Sequence, residues 1–245
     1  MVWRARLIFY RFLLAQLHLD SLRGKTSAKI LRGALKRLRT GSNAYDNSYE
    51  EAMTRIEGQL EDRRKLAKQA IAWISCAKRP LTSRELEEAL TVELGDTALD
   101  RQNISGVQDM VAFCAGLVAV DRESGIIRLV HYTTQEFFER TKDKWFPNAQ
   151  TDIAKICATY LSFQKFDSGP CQNNKDFEQR LAENRLYDYA AHDWGIHARE
   201  ANTSVLELLT FLEEKCRVQA FKLFQKLEKH FQPIFLLLPD FFKFF

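Results

Sequence analysis

This 245-residue chain has no long apolar run. Its most apolar stretch, PIFLLLPDFFKFF at residues 233–245, is far shorter than the roughly 20 residues a membrane-spanning helix needs and is broken by Pro239, Asp240 and Lys243. The start, MVWRARLIFYRFLLAQL, has its apolar stretch cut by Arg11, which argues against a secretory signal, and no Ser-rich stretch follows as in a mitochondrial presequence. Cysteine is scarce and unpaired: Cys76, Cys114, Cys157, Cys171 and Cys216 are odd in number and form no C-x-x-C motif. Three of them sit among apolar residues at helical spacing, where a free thiol acts as a small hydrophobe. These absences predict a soluble, cytoplasmic protein in a reducing compartment, with no membrane partner. Glycine and proline are also few, at 10 and 5, and with 46% hydrophobic residues this excludes collagen-like and disordered classes.

Catalytic and ligand-binding signatures are missing as well. There is no G-x-S-x-G, no H-E-x-x-H and no Cys/His pairing, so the chain is expected not to be an enzyme, with no catalytic residues and no metal site. Gly24-Lys25-Thr26 imitates the end of a phosphate loop, but Leu19 stands where the first glycine belongs and no strand precedes it. His192 and His197, five apart, do not share a helical face as an i, i+4 metal pair would. The net charge of +4 is uneven. Residues 1–40 carry ten Lys/Arg against the single acid Asp20, a balance of +9, which leaves −5 for the rest. A globally basic nucleic-acid surface is not supported.

What is present is mostly helical periodicity. FLLAQLHLDSL (12–22) spaces Phe12, Leu13, Gln16 and Leu17 as an amphipathic helix. TSAKILRGALKRLR follows with Thr26 or Ser27 as N-cap and Ile30, Leu31, Ala34, Leu35 and Leu38 on one face. In AYDNSYEEAMTRIEGQL, Tyr49, Ala52, Met53, Ile56 and Leu60 form a further stripe. RRKLAKQAIAWISCA predicts a helix with Leu66, Ala70, Trp73, Ile74 and Ala77 inward, ended as Pro80 approaches. LTSRELEEALTVEL opens a helix at Thr82 or Ser83 with acids in its first turn, and ISGVQDMVAFCAG is a third, closed by Gly116. The period then switches: LVAV (117–120), the turn DRESG and IIRLV (126–130) read as a β-hairpin. Three short helices followed by a two-stranded wing describe a winged helix. Beyond it, TDIAKICATYLSF turns Ile153, Ile156, Cys157, Tyr160 and Leu161 to one side, and further helices follow to about Phe231.

The fold class is therefore mainly α, organised as a helical segment (1–59), a winged helix with a small β-hairpin wing (60–146), a C-terminal helical bundle (147–231) and a divergent tail (232–245). A winged helix can bind DNA, but its third helix here offers Gln108 and Asp109 and no cation, and its second helix is acidic, so phosphate would be repelled. The basic helix at residues 23–39 is the alternative nucleic-acid face.

His131 is the candidate site residue. It lies between the hairpin and a predicted helix start, where Thr133 and Glu136 fit a T-x-x-E capping box and Tyr132 can staple onto Phe137. A helix N-terminus favours anions.

LVHYTTQEFFER resembles the H-x-x-x-Q-E-F/Y segment of the winged-helix domain in NACHT-type NTPases, the STAND family of signalling switches. FLLAQLHLDSL, YDNSYEEAMTRIEGQ, AIAWISCAKRPLTSRELEEAL and LYDYAAHDWGIHA resemble, in the same order, the region after the NACHT domain of fungal NACHT–ankyrin proteins. That region carries a winged helix like that of GPI inositol-deacylase-like proteins. The resemblance implies an autoinhibitory signal-relay role, with a NACHT NTPase domain and ankyrin repeats as partners, oligomerisation, and ADP or ATP with magnesium as the family's cofactors. It also implies that His131 faces the β-phosphate of bound ADP and holds the closed state. Within residues 1–245 there is no phosphate loop, Walker B segment or T-P-L-H ankyrin motif, so the sequence reads as a fragment carrying no cofactor of its own, expected to bind ADP weakly or not at all.

Overall fold

A computed structural model of the chain describes residues 19, 22, 26–37, 44–168, 171 and 173–201. Apart from Leu19 and Leu22, the predicted helix at 12–22 lies outside the described residues, as do the Gly24-Lys25 pair, the helices beyond 201 and the 232–245 tail. Helix α1 spans Ala28–Arg37, α2 Ala44–Glu57 and α3 Glu61–Cys76. Strand β1 (Leu81–Thr82) leads into α4 (Ser83–Thr91), and α5 (Val107–Phe113) leads into strands β2 (Val118–Val120) and β3 (Ile126–Leu129). Helices α6 (Tyr132–Trp145), α7 (Ala149–Leu161), α8 (Asn174–Glu183) and α9 (Tyr187–Glu200) complete the described fold. The fold is mainly α with one small antiparallel sheet, as the periodicities predict.

That sheet has the order β1-β3-β2, with Leu81 opposite Ile127 and Val118 opposite Leu129. The hairpin falls where the alternation placed it. Helix α4 starts at Ser83, as LTSRELEE predicts, and the two residues before it add strand β1, too short to show a period of two in the sequence. Asp121 builds the wing turn, accepting from the backbone N–H groups of Glu123 and Ser124 at 3.0 Å each. These bonds hold its carboxyl below the usual carboxylate range, with the Ser124 N–H the larger cause. Gly125 takes φ +68°, where a side chain would be strained.

The chain divides into two compact units that interleave along the sequence. One holds residues up to Ser83 together with Ser105–Pro147; the other holds Arg84–Ile104 and the chain from Asn148. In the first unit, α2 presents Tyr49, Ala52, Met53 and Ile56, each fully buried, but Leu60 is 73% exposed because the helix stops at Glu57. On α3 the buried face is Ala67, Ala70, Ile71, Trp73 and Cys76, so Leu66, Ile74 and Ala77 are not the core positions expected. The helix packs against α2, α5, α6 and β3 at once, so no single stripe describes it. An aromatic series, Tyr49–Phe137–Phe138–Phe146, runs through this core with ring centres 5.2–5.4 Å apart. On α1 the expected stripe residues Ile30, Leu31 and Leu35 are 49%, 36% and 48% exposed, and Leu38 lies outside the described residues.

In the second unit, α7 and α9 pack against each other, with Ile153, Cys157 and Tyr160 buried on the first and Tyr189, Ala190 and Trp194 on the second. Glu85 and Glu88 of α4 are 7% and 5% exposed, so they are not part of the acidic outer surface inferred from SRELEEALTVE. Glu88 instead accepts from the Tyr160 hydroxyl at 2.5 Å and from the Leu186 backbone N–H at 3.1 Å. Two donors compensate the desolvation of this carboxylate.

The aromatic series is expected to dominate the stability of the first unit. Phe138→Ala should cost about 3–5 kcal/mol, as for other buried Phe truncations, whereas Leu60→Ala should stay within about 0.5 kcal/mol. Urea denaturation of the two variants measures the contrast.

Candidate functional site

The hairpin delivers the chain to His131 in an extended conformation, φ −154° and ψ 156°, so the residue precedes α6 without joining it. Its Nδ1 accepts the backbone N–H of Thr133 at 3.3 Å, which makes His131 the N-cap. This corrects the expected capping box: the helix begins one residue earlier, at Tyr132, and Thr133 is not the cap. Tyr132, expected to staple onto the buried Phe137, is 44% exposed and lies beside the imidazole, ring centres 4.4 Å apart.

The Thr133 hydroxyl is drawn elsewhere. Its Oγ1 lies 2.9 Å from His131 Nδ1 and 2.6 Å from the Tyr49 hydroxyl, which arrives from α2, 84 residues earlier. Because Nδ1 accepts the backbone N–H, the neutral ring carries its proton on Nε2. The hydroxyls then order themselves: Thr133 donates to Nδ1, and Tyr49 donates to Thr133. Protonation at Nδ1 would abolish the cap and reverse the Thr133 hydroxyl. Partial burial pushes the His131 pKa down, opposed by the negative charge of Glu136. Burial likewise raises that of Tyr49, opposed by its bond to Thr133. The site holds a neutral imidazole at a helix N-terminus, an end of the helix that favours anions.

The other sequence candidates fall apart from this cluster. His197 is fully buried, its two ring nitrogens 2.5 Å from Gln150 Oε1 and 2.7 Å from the Tyr189 hydroxyl. His192 is exposed and bonds within its own helix to the Asp188 carbonyl. Among the described residues no group of His, Cys, Asp and Glu could hold a metal ion. Cys76, Cys114 and Cys157 are buried, and burial pushes the Cys114 thiol up to about 12, so it is a packing group and not a nucleophile. The chemistry missed in the sequence is that of Tyr49 and Thr133. Tyr49 was assigned to an apolar stripe, and only its hydroxyl hinted at a polar partner.

On the third helix, Gln108 and Asp109 are exposed, as the sequence suggests for a surface poor in cations. The wing adds Arg122 and Arg128 beside Asp121 and Glu123. No helix among the described residues is long and apolar enough to cross a membrane.

His131→Ala is expected to destabilise the chain by about 0.5–1 kcal/mol, the low end for loss of an N-cap, with His131→Asn restoring most of it. The pH dependence has a definite sign. A histidine with a depressed folded-state pKa stabilises fully above its unfolded value of about 6.5 and loses that contribution as pH falls through the folded value. The stability gap between the native chain and His131→Asn should therefore narrow or reverse as pH falls below about 6.5. Nitrogen NMR at pH 7 should find the proton on Nε2.

No curated protein and no solved structure matches the chain. Residues 53–145 match the family model described as GPI inositol-deacylase, winged helix domain. The match runs from within α2 to the last residue of α6 and takes in the whole sheet, so this span of the chain is similar to the winged-helix domain of GPI inositol-deacylase.

Proposed function

We propose that the chain is a non-catalytic regulatory and interaction module that acts in autoinhibition and nucleotide-state relay, within a fungal NACHT-type STAND signalling receptor. The observation that carries the reading is the pairing of this winged-helix type with His131, a neutral imidazole at the N-terminus of α6. The ordered resemblances at residues 12–215 to the region after a NACHT domain support the same reading. In it, the partners are a NACHT NTPase domain and ankyrin repeats, the nucleotide is ADP or ATP with magnesium bound by the NTPase domain, and the setting is the cytoplasm.

The physics of such a relay is a contact made in only one state. Nε2–H of His131 would donate to a phosphate oxygen in the closed arrangement, adding a directed donor to the helix dipole. A charge-assisted hydrogen bond is worth roughly 1.5–3 kcal/mol, enough to shift a two-state equilibrium by one or two decades. It is far below the roughly 8 kcal/mol that micromolar affinity requires, so the phosphate cradle must belong to the NTPase domain. Phosphorylation of nothing and turnover of nothing are required of this chain.

A second reading, nucleic-acid binding through the basic helix at 23–39, keeps some support from Lys29 and Arg32, which lie on the described part of that helix. Lys25 lies outside the described residues. Against it stands a third helix with no cation.

Joined to a NACHT domain from the same family, the chain should give ADP binding that His131→Ala weakens about ten- to hundredfold, with a shift toward the active form. Calorimetry with ADP reads the first effect and sedimentation the second. Indifference to His131→Ala would return the residue to a purely capping role. Salt titration with duplex DNA decides the second reading, because steep salt dependence lost on neutralising Lys25, Lys29, Arg32, Lys36 and Arg37 would establish it.

A further inference from the structure

Helix α1 is built from few residue types: AKILRGALKR contains only Ala, Gly, Ile, Leu, Lys and Arg. Its start is fixed locally. Ser27 accepts the Ile30 N–H on its side chain at 3.3 Å and the Leu31 N–H on its carbonyl at 2.9 Å. Helical spacing puts Ile30, Leu31, Ala34 and Leu35 on one side and Lys29 and Arg32 on the other. Lys29, Ile30, Leu31, Arg32 and Leu35 are all exposed. Among the described residues no element packs extensively on α1, and a carbon added at Gly33 would meet no atom within 4 Å. The surrounding sequence keeps one sign, since residues 21–45 carry seven Lys/Arg and no acid.

A helix this short gains stability from covering an apolar face more than from propensity, so the stripe calls for an occupant. The residue types select it. Specific protein partners are gripped by Trp, Tyr and placed hydrogen bonds, and α1 has no aromatic, hydroxyl or amide side chain. Nucleic acid would engage the cations through its phosphates but leave Ile30, Leu31 and Leu35 in water. Pairing two copies through the stripe would bring two cationic helices together. An anionic bilayer surface covers both halves at once. Its acyl boundary takes aliphatic side chains, its headgroup phosphates take cations, and neither demands directional contacts from the helix.

We propose that α1 is a peripheral docking helix that lies on an anionic phospholipid surface. Ile30, Leu31 and Leu35 enter the acyl boundary, and Lys29 and Arg32 meet the headgroup phosphates. The sequence-based expectation of no membrane partner rested on the lack of a spanning segment, and a helix lying in the interface needs none. The anionic leaflet faces the cytoplasm, the setting proposed above. His131 plays no part in this contact, so its test leaves the regulatory reading untouched. The same helix carries the nucleic-acid reading, and the apolar stripe is what separates the two.

The test is flotation of the full chain with vesicles of phosphatidylcholine alone and of phosphatidylcholine with about 30% phosphatidylserine. Binding to the anionic vesicles should be at least about tenfold stronger and should fall as salt is raised. The double variant Ile30→Gln, Leu35→Gln should lose about tenfold or more in vesicle binding with every cation retained. Lys29→Gln with Arg32→Gln should lose about tenfold and flatten the salt dependence. All four positions are exposed, so the thermal transition should not move. Leu60→Gln, an exposed leucine elsewhere, should bind vesicles as the native chain does. Equal binding to both vesicle types, binding to neither, or vesicle binding unchanged in the Ile30/Leu35 variant would overturn the proposal. Retention on duplex DNA without vesicle binding would overturn it in favour of nucleic acid. Self-association lost in the Ile30/Leu35 variant, again without vesicle binding, would overturn it in favour of a second copy.

Discussion

The packing of α2 against α6 through Tyr49 is the contact on which the first unit depends. One side chain supplies both halves of it. Its ring, fully buried, meets Phe137 at 5.4 Å and begins the aromatic series that continues to Phe146. Its hydroxyl ends on Thr133 and, through Thr133, on the cap of α6. Two exposed ion pairs, Arg140 with Asp46 and Lys144 with Glu50, lie along the same pair of helices. At their exposure they set register more than stability. The helix that carries the candidate site is therefore positioned by an apolar contact and tuned by a polar one on the same residue.

The second unit solves a similar problem with a carboxylate. Glu88, buried at 5% exposure, receives the Tyr160 hydroxyl from α7 and the Leu186 N–H from the start of α9. Removing either donor would leave a desolvated charge short of a partner, so the three segments are tied to one another. Burial and the Glu88 charge both push the Tyr160 hydroxyl's pKa up, which keeps it a donor. Near this anchor the Lys165 ammonium lies over the rings of Tyr160, Phe163 and Phe166.

The distribution of charge separates the functions open to each part. On the winged helix, the element that would enter a DNA groove offers Gln108 and Asp109, a poor match for phosphate. At α6, by contrast, the helix N-terminus and a neutral imidazole favour an anion without presenting a fixed positive charge.

Periodicity alone determined the helices, the hairpin at 118–120 and 126–129, and the order of helices and wing that makes a winged helix, because burying one face imposes a period of 3.6 or 2 on any chain. It placed Tyr49, Ala52, Met53 and Ile56 in the core for the same reason. Where a helix packs on several neighbours, as α3 does, no single stripe exists to be read, and Ala67 and Ile71 were missed. Strand β1 was too short to show alternation. The cap of α6 was decided by tertiary structure: Thr133 and His131 are both plausible caps locally, and Tyr49, 84 residues away, claims the threonine hydroxyl. Glu88 looked like surface charge because its partners, Tyr160 and Leu186, lie 72 and 98 residues further on.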